Sequence, residues 1–103
     1  MFETDPVAVP ALPLALEQNW PNPFNPSTTI SYYLPETIRV RLEIFDVAGR
    51  RIACLVDGNK ERGNHNAVWN GAGESSRPAA AGIYICRLTA GRETLSRKMI
   101  LLR

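Results

Sequence analysis

The segment from Gln18 to Ile30 constrains the fold more than any other part of the chain. It is rich in asparagine and proline, with three prolines among six consecutive residues, namely Pro21, Pro23 and Pro26. Each proline fixes its own φ, has no N–H to donate, and disfavours helical backbone in the residue before it. The asparagines favour turns, because their side chains bond to nearby backbone groups. The pattern therefore excludes a helix and predicts a stiff, kinked entry into a folded domain.

Two aromatic residues of this segment, Trp20 and Phe24, lie on either side of the first prolines. We predict that both rings are apolar anchors that hold the segment against the domain. From Ser27 onward β-branched and aromatic residues dominate, so a β domain begins there. Before it, prolines separated by alanine and valine are typical of an extended spacer. We therefore expect a linker from an upstream domain over residues 1–16 and a folded domain over residues 17–103.

Length and charge limit the functions that such a chain can have. Its 103 residues suffice for one domain, and the apolar share of 45% is ordinary for a globular protein. The net charge is +2 and the basic residues are scattered, which argues against a nucleic-acid partner. No apolar run reaches the length of a membrane span. No signal peptide is visible, so the protein is either cytosolic or a piece of a longer precursor whose signal lies upstream, and the linker-like composition of residues 3–16 favours the second.

Short runs with a period of two residues predict β-strands. In residues 38–45 the apolar side chains share one face, while Arg39, Arg41 and Glu43 share the opposite face, towards solvent. Other strands are predicted over 27–34, 51–56, 64–70, 82–89 and 94–102. About seven short strands without a convincing helix predict an all-β fold, a two-sheet antiparallel sandwich.

The connections carry residues that turns require. Asp46 and Gly49 predict a hairpin turn, in which the carboxylate accepts backbone N–H groups and the glycine adopts a positive φ. Residues 57–63 are expected to form a polar loop, and residues 71–82 the longest irregular stretch of the domain. Trp69 is predicted to lie in the core.

The sequence contains no recognisable catalytic set. His65 is the one histidine, no nucleophile elbow accompanies it, and we expect it to face solvent. The acidic residues fall mostly in turns, where capping and solubility are their expected roles. Asp46 and Asp57 lack the spacing of a calcium loop. We therefore predict no enzyme activity, no cofactor and no metal site.

Two cysteines, Cys54 and Cys86, leave two interpretations open. They lack the spacing of a metal site, and they can be either small core residues or the two halves of a disulfide. For the aromatic residues that could form a flat sugar-binding surface, core packing is the default expectation. These residues are Trp20, Tyr32, Tyr33 and Tyr84.

Five ordered segments carry a family resemblance. They are Trp20-Pro21-Asn22-Pro23-Phe24-Asn25-Pro26, the turn Asp46 to Gly49-Arg50, Trp69-Asn70-Gly71, Gly82-Ile83-Tyr84, and Arg97-Lys98-Met99-Ile100-Leu101-Leu102-Arg103. Together they resemble a bacterial family of small C-terminal Ig-like domains, related to the Ig-like module of the flagellar hook-capping protein. The resemblance covers about residues 17–103 and departs from the family at Cys86, where an aromatic or small residue is usual.

The resemblance implies an Ig-like sandwich at the C-terminus of a secreted or surface protein that is exported through the periplasm. The family overlaps the type A sorting domains of the type IX secretion system, in which the domain is the export address of its cargo. Its implied partners are the upstream domain of the same precursor and the secretion translocon or cell-surface machinery. The implied function is non-catalytic: sorting and surface anchoring, with residues 97–103 as a sorting strand whose terminus is accessible to a receptor.

Two other functions stay open. A structural module, as in hook-cap proteins, would self-associate stably or bind a defined partner through exposed strand edges. Weak self-association through edge strands is open for the domain in any case. A carbohydrate-binding accessory domain of a secreted hydrolase would use exposed aromatic residues such as Trp20 or Tyr33.

Overall fold

The computed structural model describes residues 12–103, which form seven strands and no helix. The strands are β1 (Ala15–Leu16), β2 (Thr28–Leu34), β3 (Ile38–Asp46), β4 (Arg51–Lys60), β5 (Gly63–Trp69), β6 (Gly82–Ala90) and β7 (Glu93–Leu101). Most of the predicted linker lies outside the described residues. Its last two residues form β1, so the ordered domain begins before residue 17. Within residues 12–103 no helix is present that could cross a membrane.

The strands form two antiparallel sheets that enclose one core. The smaller sheet has the order β1-β2-β5, and the larger sheet has the order β4-β3-β6-β7. In the larger sheet β3 pairs with both β4 and β6, so it is flanked on each side. This architecture confirms the predicted all-β, Ig-like sandwich of seven short strands.

The two-residue period seen in the sequence places the core between the sheets. In β2 the inward side chains are buried and the outward ones are partly exposed, the inward set being Thr28, Ile30, Tyr32 and Leu34. The facing sheet contributes its own fully buried side chains, among them Val40, Leu42, Ile44, Leu88, Met99 and Leu101. Each such apolar side chain contributes about 1.5–3 kcal/mol by leaving water.

An aromatic cluster closes one end of this core. Trp69 is 1% exposed, as predicted, and its ring centroid lies 5.7 Å from that of Phe24 and 5.3 Å from that of Tyr84. The rings meet at steep angles, the arrangement that aromatic quadrupoles favour. The Trp69 Nε1–H donates to the carbonyl of Ala72 at 2.8 Å, which satisfies its polar atom.

The predicted polar loop over residues 57–63 is wrong except at residues 61 and 62, since Gly63 already belongs to β5. Asp57–Lys60 continue β4, because the N-terminal part of β3 extends far enough to pair with them. Arg41 lies opposite Asp57 and Ile38 lies opposite Lys60. Polar composition suggested a loop, whereas the backbone hydrogen bonds offered by β3 decided the structure.

Glu43 lies on the outward face of β3, as predicted, but it does not face solvent. Its side chain is 6% exposed, because arginines from three neighbouring positions surround its carboxylate. The nitrogen–oxygen distances are 3.3 Å to Arg51, 3.6 Å to Arg87 and 3.9 Å to Arg41. Arg87 also lies over the ring of Phe45, 4.2 Å from its centroid. The prediction that Glu43 faces solvent is therefore wrong.

Candidate functional site

The opening segment lies along the free edge of β7, the last strand of the larger sheet. Phe24 donates its N–H to the carbonyl of Ile100 at 3.0 Å and accepts the N–H of Leu102 at 2.8 Å. Asn22 accepts the N–H of Ile100 on its Oδ1 at 2.9 Å. These bonds satisfy backbone groups that an edge strand otherwise presents to solvent.

Two further bonds extend this contact towards the middle of β7. Gln18 Nε2 donates to the carbonyl of Lys98 at 2.7 Å, and Arg97 Nε donates to the carbonyl of Leu16 at 2.8 Å. We call residues 18–24 the edge cover. The edge of β7 is therefore occupied from Lys98 to Leu102, whereas the side chains of Leu102 and Arg103 are exposed.

The two aromatic residues of the edge cover have opposite roles. Phe24 is 1% exposed and anchors the segment in the core, as predicted. Trp20 is 78% exposed, so the prediction that it is an anchor, or a core residue, is wrong. The reason is local: Trp20 pairs with Thr29 through two backbone hydrogen bonds of 2.9 Å, and that pairing turns its side chain outward.

A buried polar cluster fixes this geometry. Asn19 is 3% exposed, and its Nδ2 donates to Thr28 Oγ1 at 3.0 Å and to the carbonyl of Pro21 at 3.1 Å. Thr28 Oγ1 donates to the same carbonyl at 2.8 Å. The sequence pattern marked Asn19 only as a turn former, and its satisfied, buried amide was not foreseen.

The predicted turn at Asp46 and Gly49 is confirmed. The Asp46 carboxylate accepts the N–H groups of Ala48 and Arg50 and the Nε–H of Arg50, at 2.8 to 3.0 Å. Gly49 has a φ of +86°, which a residue with a side chain rarely adopts. The N–H of Arg50, helped by its guanidinium, holds the pKa of Asp46 below its usual value.

Arg103 forms hydrogen bonds to the irregular stretch 71–82. Arg103 donates from Nη2 to the carbonyl of Gly71 at 2.7 Å and from Nε to that of Ala79 at 2.9 Å. Gly71 has a φ of +78°, and a Cβ there would lie 2.8 Å from the carbonyl oxygen of Pro26. Tyr84 donates its O–H to the carbonyl of Ala80 at 2.5 Å. The motif residues Gly71, Tyr84 and Arg103 therefore all hold the stretch 71–82 against the rest of the domain.

The remaining motif residues divide by exposure. Pro21, Pro23, Asn25 and Pro26 are exposed parts of the kinked segment, whose three X-Pro peptide bonds are cis. Gly82 begins β6 with a φ of +152°. In β7 the side chains of Met99 and Leu101 are fully buried, whereas Lys98 and Ile100 point outward and Leu102 is half exposed.

An accessible surface of mixed character lies on the outward face of the larger sheet. Ile83 stands opposite Ile100, and Ile85 stands opposite Lys98 on one side and Phe45 on the other. We call these five residues the outer patch. A shallow depression of about 390 Å³ adjoins it, lined by Phe45, Val47, Ile85, Arg87 and Ser96 among others. Lys98 and Ile100 of the predicted sorting strand lie on this face, where a partner can reach them.

Both cysteines are free thiols, which decides between the two interpretations. Cys86 is buried in the core, and burial raises its pKa to about 12. Cys54 is half-buried, and burial raises its pKa as well. No group of three or more histidine, cysteine, aspartate or glutamate side chains in residues 12–103 is arranged to hold a metal ion.

Two solved structures from Porphyromonas gingivalis share this fold. Dimeric latent PorU matches 88% of this chain and 10% of its own length, with a TM-score of 0.70 and 20% identity. PorZ, described as an essential surface component of the type IX secretion system, matches 87% of this chain and 11% of its own, with a TM-score of 0.58 and 19% identity. This chain thus corresponds to a small part of each, and at these identities the likeness shows the fold alone.

The sequence itself identifies the family. No curated protein matches the chain. The model of the FlgD Ig-like domain matches residues 24–93, which run from Phe24 of the edge cover to the start of β7. The match agrees with the resemblance carried by the five motif segments. The chain belongs to the FlgD Ig-like domain family.

Proposed function

We propose that this domain is a non-catalytic sorting and anchoring domain, which directs an upstream cargo through a type IX-like secretion route to the bacterial surface. The supporting observation is the outer patch, which combines β7 with an accessible apolar surface and a lysine. Asn22 and Phe24 of the opening motif, by contrast, are bonded to the backbone along the edge of β7. A receptor that recognises this domain would therefore bind the outward face of β6 and β7 rather than the edge of β7.

The likeness to PorU and PorZ supports the same route, since PorZ is described as a component of that system. In this proposal the domain contributes no chemistry to its cargo. Its partners are the preceding domain of the precursor and the translocon or surface machinery.

A reporter fusion tests the proposal. A periplasmic reporter carrying the full 103-residue chain at its C-terminus is expressed in a host with a functional type IX translocon and in the same host without one. We expect the reporter in the medium or on the surface only when both the domain and the translocon are present. Equal export of the reporter without the domain, or without residues 97–103, would contradict a sorting role.

A structural assembly module is the second candidate, and the family match favours it. β4 and β5 are the long edge strands that the edge cover does not touch, and strand edges are a common route of association. Sedimentation of the purified chain over a range of concentrations separates the two readings. A defined oligomer supports assembly, whereas a monomer at all concentrations counts against it.

A further inference from the structure

The outward face of the smaller sheet differs chemically from the outward face of the larger sheet. Strand pairing places three rows of side chains on it: Trp20, Thr29 and Val68; Glu17, Ser31 and Asn66; Ala15, Tyr33 and Asn64. We call these nine residues the aromatic face. Glu17 is the one charged residue among them, whereas the opposite sheet presents Arg39, Arg41, Arg51, Asp57, Arg87 and Lys98.

Two aromatic rings stand at the two ends of this face. Trp20 pairs with Thr29, and Tyr33 lies four residues further along the same strand as Thr29, a distance of roughly 13 Å at the rise of a β-strand. Trp20 is fixed by its paired backbone and by the Asn19–Thr28 cluster beneath it. The ring is 78% exposed although the backbone that carries it is held in place. It is therefore positioned to contact a ligand rather than to pack in the core.

The residues between the rings supply hydroxyl and amide groups. Ser31 donates its hydroxyl to Asn66 Oδ1 at 2.7 Å, which leaves the Nδ2 group of Asn66 to donate outward. Asn64 is exposed beside Tyr33, and Thr29 lies between Trp20 and Val68. Neutral donors and acceptors between two aromatic rings match a ligand that has apolar faces and many hydroxyl groups but no charge.

We propose that the aromatic face binds a neutral polysaccharide. The C–H faces of two pyranose rings would pack on Trp20 and Tyr33, and hydroxyl groups between them would bond to Asn66, Ser31 and Asn64. An anionic polymer would find no counter-charge here, since Glu17 is acidic and repels anions. The two rings lie roughly 13 Å apart along the strand, so the face suits an extended chain rather than a monosaccharide. This inference does not rest on the sorting role, because it uses the opposite side of the sandwich.

Affinity electrophoresis of the purified full chain tests the inference, in native gels containing hydroxyethylcellulose, xylan, galactomannan or, as the anionic comparison, polygalacturonate. We expect retardation in at least one neutral gel and none in polygalacturonate. Trp20→Ala should weaken binding at least about tenfold, as loss of a principal aromatic contact does, and Tyr33→Ala should weaken it too. Val47→Ala removes a similarly exposed apolar side chain in the β3–β4 turn and should change nothing.

Intrinsic fluorescence supplies a second readout. Trp69 is buried, so a shift in the emission of exposed tryptophan on adding the retarding polymer reports on Trp20. The inference is overturned if no neutral polymer retards the chain, if Trp20→Ala binds as wild type, or if only polygalacturonate binds. It is also overturned if Trp20→Ala abolishes a concentration-dependent self-association, because the aromatic face would then bind a second copy.

Discussion

At the residue scale, similar side chains in one motif have unlike roles. Trp20 and Phe24 are both aromatic and four positions apart, yet one is in water and the other is in the core. Both were predicted to be apolar anchors, because composition does not reveal which way a paired backbone turns a side chain. Glu43 is a parallel case. Its outward direction followed from the strand period, but its burial depends on arginines of β4 and β6 that are distant in sequence.

Alanine substitutions separate the two aromatic roles. Phe24→Ala should lower the free energy of unfolding by about 3–5 kcal/mol, because it leaves a cavity beside Trp69. Trp20→Ala should change it by less than about 0.5 kcal/mol, since an exposed ring loses little on removal. Urea unfolding of both variants measures this, and similar losses in the two variants would contradict the assignment.

Cys86 should make the domain sensitive to alkali. Its pKa is raised to about 12 in the folded protein, whereas an unfolded cysteine ionises near 8.5. The folded state therefore keeps a proton that the unfolded state loses, and the free energy of unfolding falls as pH rises between these values. The loss from Cys86 should reach the order of 2 kcal/mol at pH 10.

The measurement is urea unfolding at pH 7 and pH 10 for wild type and Cys86→Ala. The variant should lose less stability between these pH values, although Cys54, Tyr32 and Tyr84 also have raised pKa values through burial and act in the same direction. Equal losses in both proteins would show that Cys86 ionises as readily in the folded state.

At the element scale, the edge cover explains why the opening motif and the closing strand occur together. The motif binds the backbone of β7, and Arg103 beyond that strand binds the stretch that follows Trp69. The strands and the Asp46 turn were predictable from local periodicity and turn chemistry. The edge cover was not predictable from the sequence. Its hydrogen bonds join residues about eighty positions apart, and they use backbone groups that every sequence possesses.

Loss of the Asn22 side chain should loosen the edge of β7. Asn22→Ala removes the acceptor of the Ile100 N–H, so the free energy of unfolding should fall by about 0.5–1.5 kcal/mol. The Ile100 amide should also exchange its hydrogen faster. Asn25→Ala, an exposed asparagine in the same segment, is the matched control and should leave that exchange unchanged. Equal exchange in both variants would argue against the edge cover.

Glycine substitutions test the contact between the C-terminus and the irregular stretch. Gly49→Ala and Gly71→Ala both place a side chain at positive φ, which costs roughly 1–2 kcal/mol. Gly71→Ala also meets the Pro26 carbonyl, whereas Gly49 has open space around it. The thermal midpoint should therefore fall further for Gly71→Ala. Equal midpoints would contradict close packing at Gly71.

At the scale of the whole molecule, the two faces of the sandwich are chemically distinct. The larger sheet presents the outer patch among charged side chains, and the smaller sheet presents the nearly uncharged aromatic face. The all-β class and the family could be predicted from the sequence, since they rest on strand periodicity and on five ordered motifs. The division into a charged and a nearly uncharged face could not be predicted from the sequence, because it depends on strand register and on which strands lie side by side.

The most direct test of the sorting account compares export with folding in matched variants of the reporter fusion. Ile83→Thr combined with Ile100→Thr alters the outer patch, and Val68→Thr makes a similar change on the opposite sheet. Thermal unfolding of the isolated chains establishes that all remain folded. The account predicts that secretion drops severalfold for the outer-patch variant and persists for Val68→Thr. Undiminished secretion of a folded outer-patch variant would contradict it.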